Sequence, residues 1–178
     1  MINLTVTLPR DLVMKLYWIP ALLPVIIYST NTVLAQGNQI PQSETFTVLA
    51  QGNDSHIEQQ QFQILRDNAT LQKLWDAHLE GISPKPAAPD VNFSKEMIIA
   101  AFSGTKNTGG YLLNITGINV YPDRVQIDLS LIKPGDNCMV STALTQPFVL
   151  AKTAQLSDKP VSFNLQLKAK NCDTGNIQ

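Results

Sequence analysis

Few residues of this chain have the type and spacing needed to bind a metal. Structural zinc sites usually take about four ligands from cysteine, histidine and carboxylate side chains. The chain has two cysteines and two histidines, and neither His56 nor His78 has a ligand-like spacing to the other or to a cysteine. We therefore predict that the protein holds no metal and no other cofactor.

Residue types that serve hydrolases are present, but not in a hydrolase pattern. No serine lies in the G-x-S-x-G turn that presents a nucleophile, and we predict that Ser103 and Ser141 are strand-end or loop hydroxyls. Glycosidases need two carboxyl groups in one cleft. Asp123, Asp128 and Asp136 instead fit a turn, the polar face of a strand and a loop. We predict that the chain is not an enzyme.

The glycine pair Gly109-Gly110 does not fit a nucleotide-binding loop. It lacks the lysine and hydroxyl residue of a P-loop and the third glycine of a dinucleotide-binding turn. Adjacent glycines are typical of a bulge or tight turn with positive φ. We expect a structural turn here.

Composition restricts the class of protein. The chain has 178 residues, of which 44% are hydrophobic and 15% charged, and 13 basic residues oppose 14 acidic ones. This length fits one domain. A net charge of −1 without a basic block gives no electrostatic footprint for nucleic acid.

Residues 1–35 are predicted to be a secretory signal peptide. Lys15 precedes the apolar segment Leu16–Ile27, which is the order of charge and hydrophobic region in such peptides. The segment has about 12 residues, fewer than the roughly 20 of a membrane span. We expect no stable membrane span after cleavage, and the alternative is a buried N-terminal helix.

The predicted cleavage site lies between Ala35 and Gln36, and Met14 is a candidate start of the natural chain. Cleavage there delivers a secreted or periplasmic protein. Residues 36–44 are polar and are predicted to form a flexible leader.

Cys138 and Cys172 lie outside the signal region. In an exported chain the simplest interpretation is a disulfide, and two free thiols are the alternative. A cross-link over this loop would contribute about 3 to 4 kcal/mol in the chain-entropy description.

The dominant pattern of residues 45–170 is typical of half-buried antiparallel strands. Apolar residues alternate with polar ones from Val125 to Leu131 and from Val161 to Leu167, while Met97–Phe102 is continuously apolar. The turn residues 121–124 predict a hairpin. The seven residues of Thr47–Asn53 repeat residues 32–38, and we predict a strand from Thr45 to Ala50.

One segment has helical spacing. Asn68 is predicted to cap a helix that ends near Gly81. Leu71, Leu74, Trp75, His78 and Leu79 would share one buried face. We predict that residues 45–170 form one α+β domain, mainly antiparallel β, with a sheet or sandwich-like arrangement and a single amphipathic helix. Residues 171–178 are predicted to form a tail.

Several segments together resemble the PrcB C-terminal domain family, over most of residues 45–165. The clearest is Thr108-Gly109-Gly110-Tyr111, and one departure is Asn92, where an aspartate is expected before the phenylalanine. The others are Val91-Asn92-Phe93, Met97–Gly104, Pro134-Gly135, Thr142–Val149, Gly52 with Ser55 and Ile57, and Leu74-Trp75.

The resemblance implies an exported domain that is not an enzyme, because the family is named for an accessory subunit of a bacterial surface protease complex. The marked positions are either structural or form a rim for a partner. The candidate contact residues are Thr108, Gly109, Gly110, Tyr111, Thr145, Gln146, Pro147 and Phe148.

Two hypotheses follow. The first is an exported, non-catalytic interaction or accessory domain with a protein partner, a protease among the candidates. The second is a stand-alone protease inhibitor or peptide-binding domain that inserts the loop Thr105–Gly110.

Overall fold

The computed structural model describes residues 40–156 and 158–172. The predicted signal peptide, its cleavage site between Ala35 and Gln36, and the first copy of the repeat lie outside the described residues. The strands and the helix follow one another in this order: β1 Gln42–Ser43, β2 Phe46–Gly52, β3 Gln60–Leu65, α1 Asn68–His78, β4 Glu96–Ser103, β5 Leu112–Val120, β6 Val125–Pro134, β7 Phe148–Ala154 and β8 Val161–Lys170.

Residues 40–156 and 158–172 form two four-stranded sheets and one helix. Sheet 1 has the strand order β1-β5-β6-β8, and sheet 2 has the order β2-β7-β4-β3. The predicted fold class, a mainly antiparallel sandwich-like domain with one helix, is confirmed. The predicted hairpin is confirmed as well: β5 and β6 pair antiparallel, and Tyr121 N–H donates to Arg124 O at 2.8 Å across the turn.

Strand β4 lies between two hydrophobic clusters, which explains its continuous apolar sequence. Its odd-numbered side chains from Met97 to Ala101 belong to the cluster between the sheets. Its even-numbered side chains from Ile98 to Phe102 belong to the cluster beneath α1. Successive strand residues face opposite sides, so a strand in the middle layer must be apolar throughout.

Strand β8 corrects one expectation. Its alternation predicted an antiparallel strand, but it pairs parallel with β6, from Val125 opposite Val161 to Pro134 opposite Lys170. Side chains alternate in the same way in both kinds of pairing, so the pattern could not distinguish them. Strand β8 follows β7 of sheet 2 and enters sheet 1 in the direction of β6.

The helix has the predicted buried face but a different cap. Leu71, Leu74, Trp75 and His78 are buried. Asp67, not Asn68, is the N-cap, because it has extended backbone angles and its Oδ1 accepts the Thr70 N–H at 2.7 Å. The helix ends at His78, before the positive-φ Gly81.

Backbone pairing reaches into the predicted leader. Two residues of the predicted leader, Gln42 and Ser43, form β1 against β5, and the Glu44 N–H donates to Ile118 O at 3.0 Å. Backbone pairing at the sheet edge therefore holds part of 36–44 in place. In the predicted tail, Cys172 is covalently bound, as described below.

Candidate functional site

Three loops meet at one end of the sandwich, where β2, β4, β6 and β8 finish. They are residues 53–59, 104–111 and 135–147, and we call them together the loop end. The segments marked from sequence, 108–111 and 145–148, both reach this region. The structure thus brings together two segments that are about 35 residues apart along the chain.

The two marked segments are hydrogen-bonded to each other. Lys106 and Thr145 form a two-way bridge, with N–H···O distances of 2.7 Å and 3.0 Å. The Thr145 hydroxyl donates to Thr108 O at 2.8 Å, and the Gly109 N–H donates to Ser141 O at 3.0 Å. The loop 104–111 is therefore fixed against the loop 135–147.

Gly110 is required by its conformation, and both glycines of the pair lie close to neighbouring side chains. A Cβ on Gly109 would lie 2.6 Å from Ser141 Oγ. Gly110 has φ +85°, and a Cβ there would lie 2.9 Å from Val140 Cγ1 and 3.2 Å from Pro134 Cβ. The predicted positive-φ turn is present at Gly110.

Several predicted contact residues are placed as parts of the scaffold. Phe148 is buried and stacks on Phe102, with ring centroids 6.1 Å apart. Pro147 is buried, its carbonyl accepts the Ser103 N–H at 2.9 Å, and it precedes a central strand of sheet 2. Thr145 and Gly109 are buried too.

The remaining predicted contact residues reach solvent. Thr108, Tyr111 and Gln146 are half-buried and Gly110 is exposed. Tyr111 packs partly against the cluster between the sheets. The Gln146 N–H donates to Asn53 O at 2.7 Å, which joins the third loop to the other two.

Sequence reasoning missed the most exposed apolar side chains of the loop end. Met139 is fully exposed, Leu144 is 63% exposed, and Val140 lies between them at the surface. The available signal was a run containing three large apolar residues inside a loop that follows a Pro-Gly turn. Without periodicity, such a run does not show whether it is buried.

The loop that carries these side chains is tethered at three points. A disulfide joins Cys138 to Cys172, next to the end of β8, with the Cα atoms 4.9 Å apart. Ser141 and Thr145 supply the other two tethers through their bonds to loop 104–111. The predicted disulfide is confirmed, and it leaves Met139 directly beside a covalent anchor.

His78 and Ser55 form a buried pair below the loop end. Ser55 Oγ lies 2.9 Å from His78 Nδ1 and accepts the Ile57 N–H at 3.2 Å. The His78 ring contacts the rings of Phe148 and Trp75, with centroid distances of 4.2 Å and 5.4 Å. Burial, together with the nearby His56, lowers the pKa of His78 to about 4.

This pair is built to position a loop. Both side chains are buried, and in the part of the chain that the structure describes no carboxylate hydrogen-bonds His78. An orienting acid is what activates a serine–histidine pair. Together with the bond from His56 N–H to His78 O at 3.1 Å, the pair fastens loop 53–59 to the end of α1.

A polar pocket of about 190 Å³ opens beside Ser55. Two carboxylates, Asp54 and Glu58, lie in its lining together with His56, Gln146 and Ile82. Such a lining suits a basic side chain from another molecule. Within residues 40–156 and 158–172, no group of three or more His, Cys, Asp or Glu side chains is arranged to hold a metal ion.

The PrcB C-terminal family model matches residues 97–154. The resemblance expected from the sequence is confirmed over this range, which is shorter than the expected 45–165. No curated protein and no solved structure matches the chain.

The PrcB C-terminal match covers the two middle strands of each sheet and two loops of the loop end. It runs from β4 through β7 and therefore contains loops 104–111 and 135–147. Ser55 and His78 lie upstream of it. Within residues 40–156 and 158–172, no helix has the length and hydrophobicity of a membrane span.

Proposed function

We propose that this protein is an exported, non-catalytic accessory domain of an extracytoplasmic protease complex. It binds its protein partner in that complex through the loop 135–147. The PrcB C-terminal match supports the class of partner. The observation that carries the proposal is the exposure of Met139 and Leu144 on a loop tethered at three points.

Exposed methionine and leucine on a tethered loop favour binding. Methionine adapts its shape to a partner and is enriched at protein interfaces. A loop that is already held by a disulfide and by backbone hydrogen bonds loses less conformational entropy on binding. The neighbouring pocket with Asp54 and Glu58 would accept a lysine or arginine of the same partner.

Export is supported by the disulfide, because such bonds persist in oxidising compartments. The signal peptide and its cleavage after Ala35 are part of the proposal. Mass spectrometry of the protein recovered outside the cytoplasm tests them: a mature chain that begins at Gln36 is expected. An intact N-terminus in the cytoplasmic fraction would contradict export.

The binding surface is tested by charge substitution. The double variant Met139→Asp and Leu144→Asp is expected to weaken capture of a protease-containing complex by at least about tenfold. Ile40→Asp is the matched control, because Ile40 is 91% exposed and lies outside the loop end. Equal capture by all three proteins would exclude loop 135–147 as the contact.

One observation favours a stand-alone protease inhibitor or peptide binder as a second candidate. The fully exposed Met139 adjoins the disulfide-bonded Cys138, which suits a loop that enters a protease cleft. The loop Thr105–Gly110, suggested by the sequence for this role, is instead tied to loop 135–147. Purified protein that leaves a panel of extracellular proteases uninhibited at micromolar concentration would remove this candidate.

A further inference from the structure

The outer edge of β8 has backbone groups that no described strand pairs with. On its inner side, Val125 N–H donates to Pro160 O and Gly135 N–H donates to Lys170 O, both at 2.9 Å. In this register the backbone N–H and C=O groups of the even-numbered residues of β8 point towards β6. The N–H and C=O groups of the odd-numbered residues, from Val161 to Ala169, therefore point away from the sheet. Among the described residues, no strand pairs with this edge.

The same odd-numbered residues carry an apolar row that is only partly covered. Phe163 and Leu165 are half-buried against the cluster between the sheets, and the Phe163 ring contacts the tilted ring of Phe62 with centroids 5.5 Å apart. Leu167 continues the row but is 63% exposed. An open strand edge of ten residues beside an exposed leucine is a template for pairing with another strand.

We propose that β8 pairs antiparallel with β8 of a second copy of this chain, centred on Leu165. In this register Leu165 lies opposite its own copy, and Phe163 lies opposite Leu167 of the other molecule. The outward backbone groups of residues 161–169 then all find partners. A two-fold axis joins the two copies of sheet 1 into one eight-stranded sheet.

The side chains on β8 are compatible with this self-pairing. Lys168 would lie opposite Ser162, and Asn164 opposite Gln166, so that no like charges face each other. A parallel arrangement in register would instead set Lys168 and Lys170 beside their own copies. Phe163 would cover the exposed Leu167 of the second molecule, which gives the pairing an apolar contribution.

Sedimentation of the full chain, purified as its host processes it, tests the proposal over a dilution series. We expect a dimer for the natural protein and a monomer for Leu167→Pro, because proline removes an N–H that points outward and leaves the ladder to β6 intact. The matched control is Gln61→Pro on β3, the open edge of sheet 2. The Thr105 N–H donates to Glu58 O, so the Gln61 N–H also points outward. This control should stay dimeric.

A cross-link tests the register without relying on proline. Residues 164 and 166 of facing strands would form a non-hydrogen-bonded pair, with Cα atoms about 4.5 Å apart, a distance that a disulfide can bridge. The double variant Asn164→Cys and Gln166→Cys should form a covalent dimer under oxidation, whereas each single variant should not. A monomer at every concentration and no cross-link would overturn the proposal. A monomer that still captures its protease-containing partner would leave the proposed function standing.

Discussion

At the scale of single residues, His78 connects stability to pH. Its pKa is lowered from 6.5 to about 4 because it is buried. The unfolded chain therefore takes up a proton before the folded protein does. Stability from this group is complete above pH 6.5 and is lost as the pH falls towards 4. The full difference is about 3 kcal/mol.

The variant His78→Phe should lose this pH dependence. Phenylalanine keeps a ring among Trp75, Phe102 and Phe148 but does not titrate. Urea unfolding between about pH 7 and about pH 4.5 should show a falling free energy of unfolding for the natural protein and a flatter curve for the variant. Parallel curves would show that His78 is not responsible.

Three carboxylates also make stability depend on pH, at lower pH than His78. They are present in both the natural protein and the His78→Phe variant. A hydrogen bond from the Thr70 N–H lowers the pKa of Asp67, one from Lys85 lowers that of Asp76, and one from Lys152 lowers that of Glu96. Groups of this kind stabilise the fold above their unfolded pKa and lose that contribution as the pH falls through the folded one. Their effect therefore cancels in the comparison of the two proteins.

Gly110 allows a second test at this scale. Gly110→Ala should destabilise the protein by more than about 1–2 kcal/mol, the cost of positive φ for a residue with a side chain, because its Cβ would also meet Val140 and Pro134. Gly81→Ala is the matched control, since Gly81 has φ +74° and nothing within 4 Å of the added Cβ. Thermal unfolding measures the stability of both variants. Equal losses of stability would mean that the contact with Val140 adds nothing to the cost of the Gly110 substitution.

At the scale of elements, the disulfide fastens the β6–β7 loop to the end of β8. Its cysteines are 34 residues apart, so replacing both by serine should lower the free energy of unfolding by about 3 to 4 kcal/mol. Chemical denaturation measures this loss. A reducing agent should reproduce it in the natural protein and have no effect on the double variant. If the reducing agent destabilised both proteins, the loss of stability would have a cause other than the disulfide.

The sequence was informative where periodicity carries the signal. The spacing of Leu71, Leu74, Trp75 and His78 predicted the buried face of α1, and two cysteines in a chain predicted to be exported indicated a disulfide. It was uninformative where two geometries share one pattern, as for β8, whose alternation fits either direction of pairing. The loop of Met139 and Leu144 has no periodicity at all, so only the fold shows that these residues reach solvent.

At the scale of the whole molecule, sheet 2 is the middle layer, between α1 and sheet 1. Ile98 and Ile99 are both completely buried, one towards each neighbouring layer. Ile98→Ala and Ile99→Ala should each lower the free energy of unfolding by about 2–5 kcal/mol. Val48→Ala on the exposed strand β2 is the control and should cost far less. Urea denaturation measures these losses. A small loss for either isoleucine variant would show that the cluster on that side of sheet 2 contributes little to the free energy of unfolding.

The contact between Trp75 and His78 turns α1 into an optical reporter. Of the two tryptophans, Trp18 lies outside the described residues, and the Trp75 indole is held by a bond from its Nε1 to Pro86 O at 2.8 Å. An imidazolium ring next to an indole quenches its fluorescence, whereas a neutral imidazole does so much less. Acidification should therefore dim the emission of Trp75 as His78 takes up its proton, and the fluorescence would record the titration of a buried group.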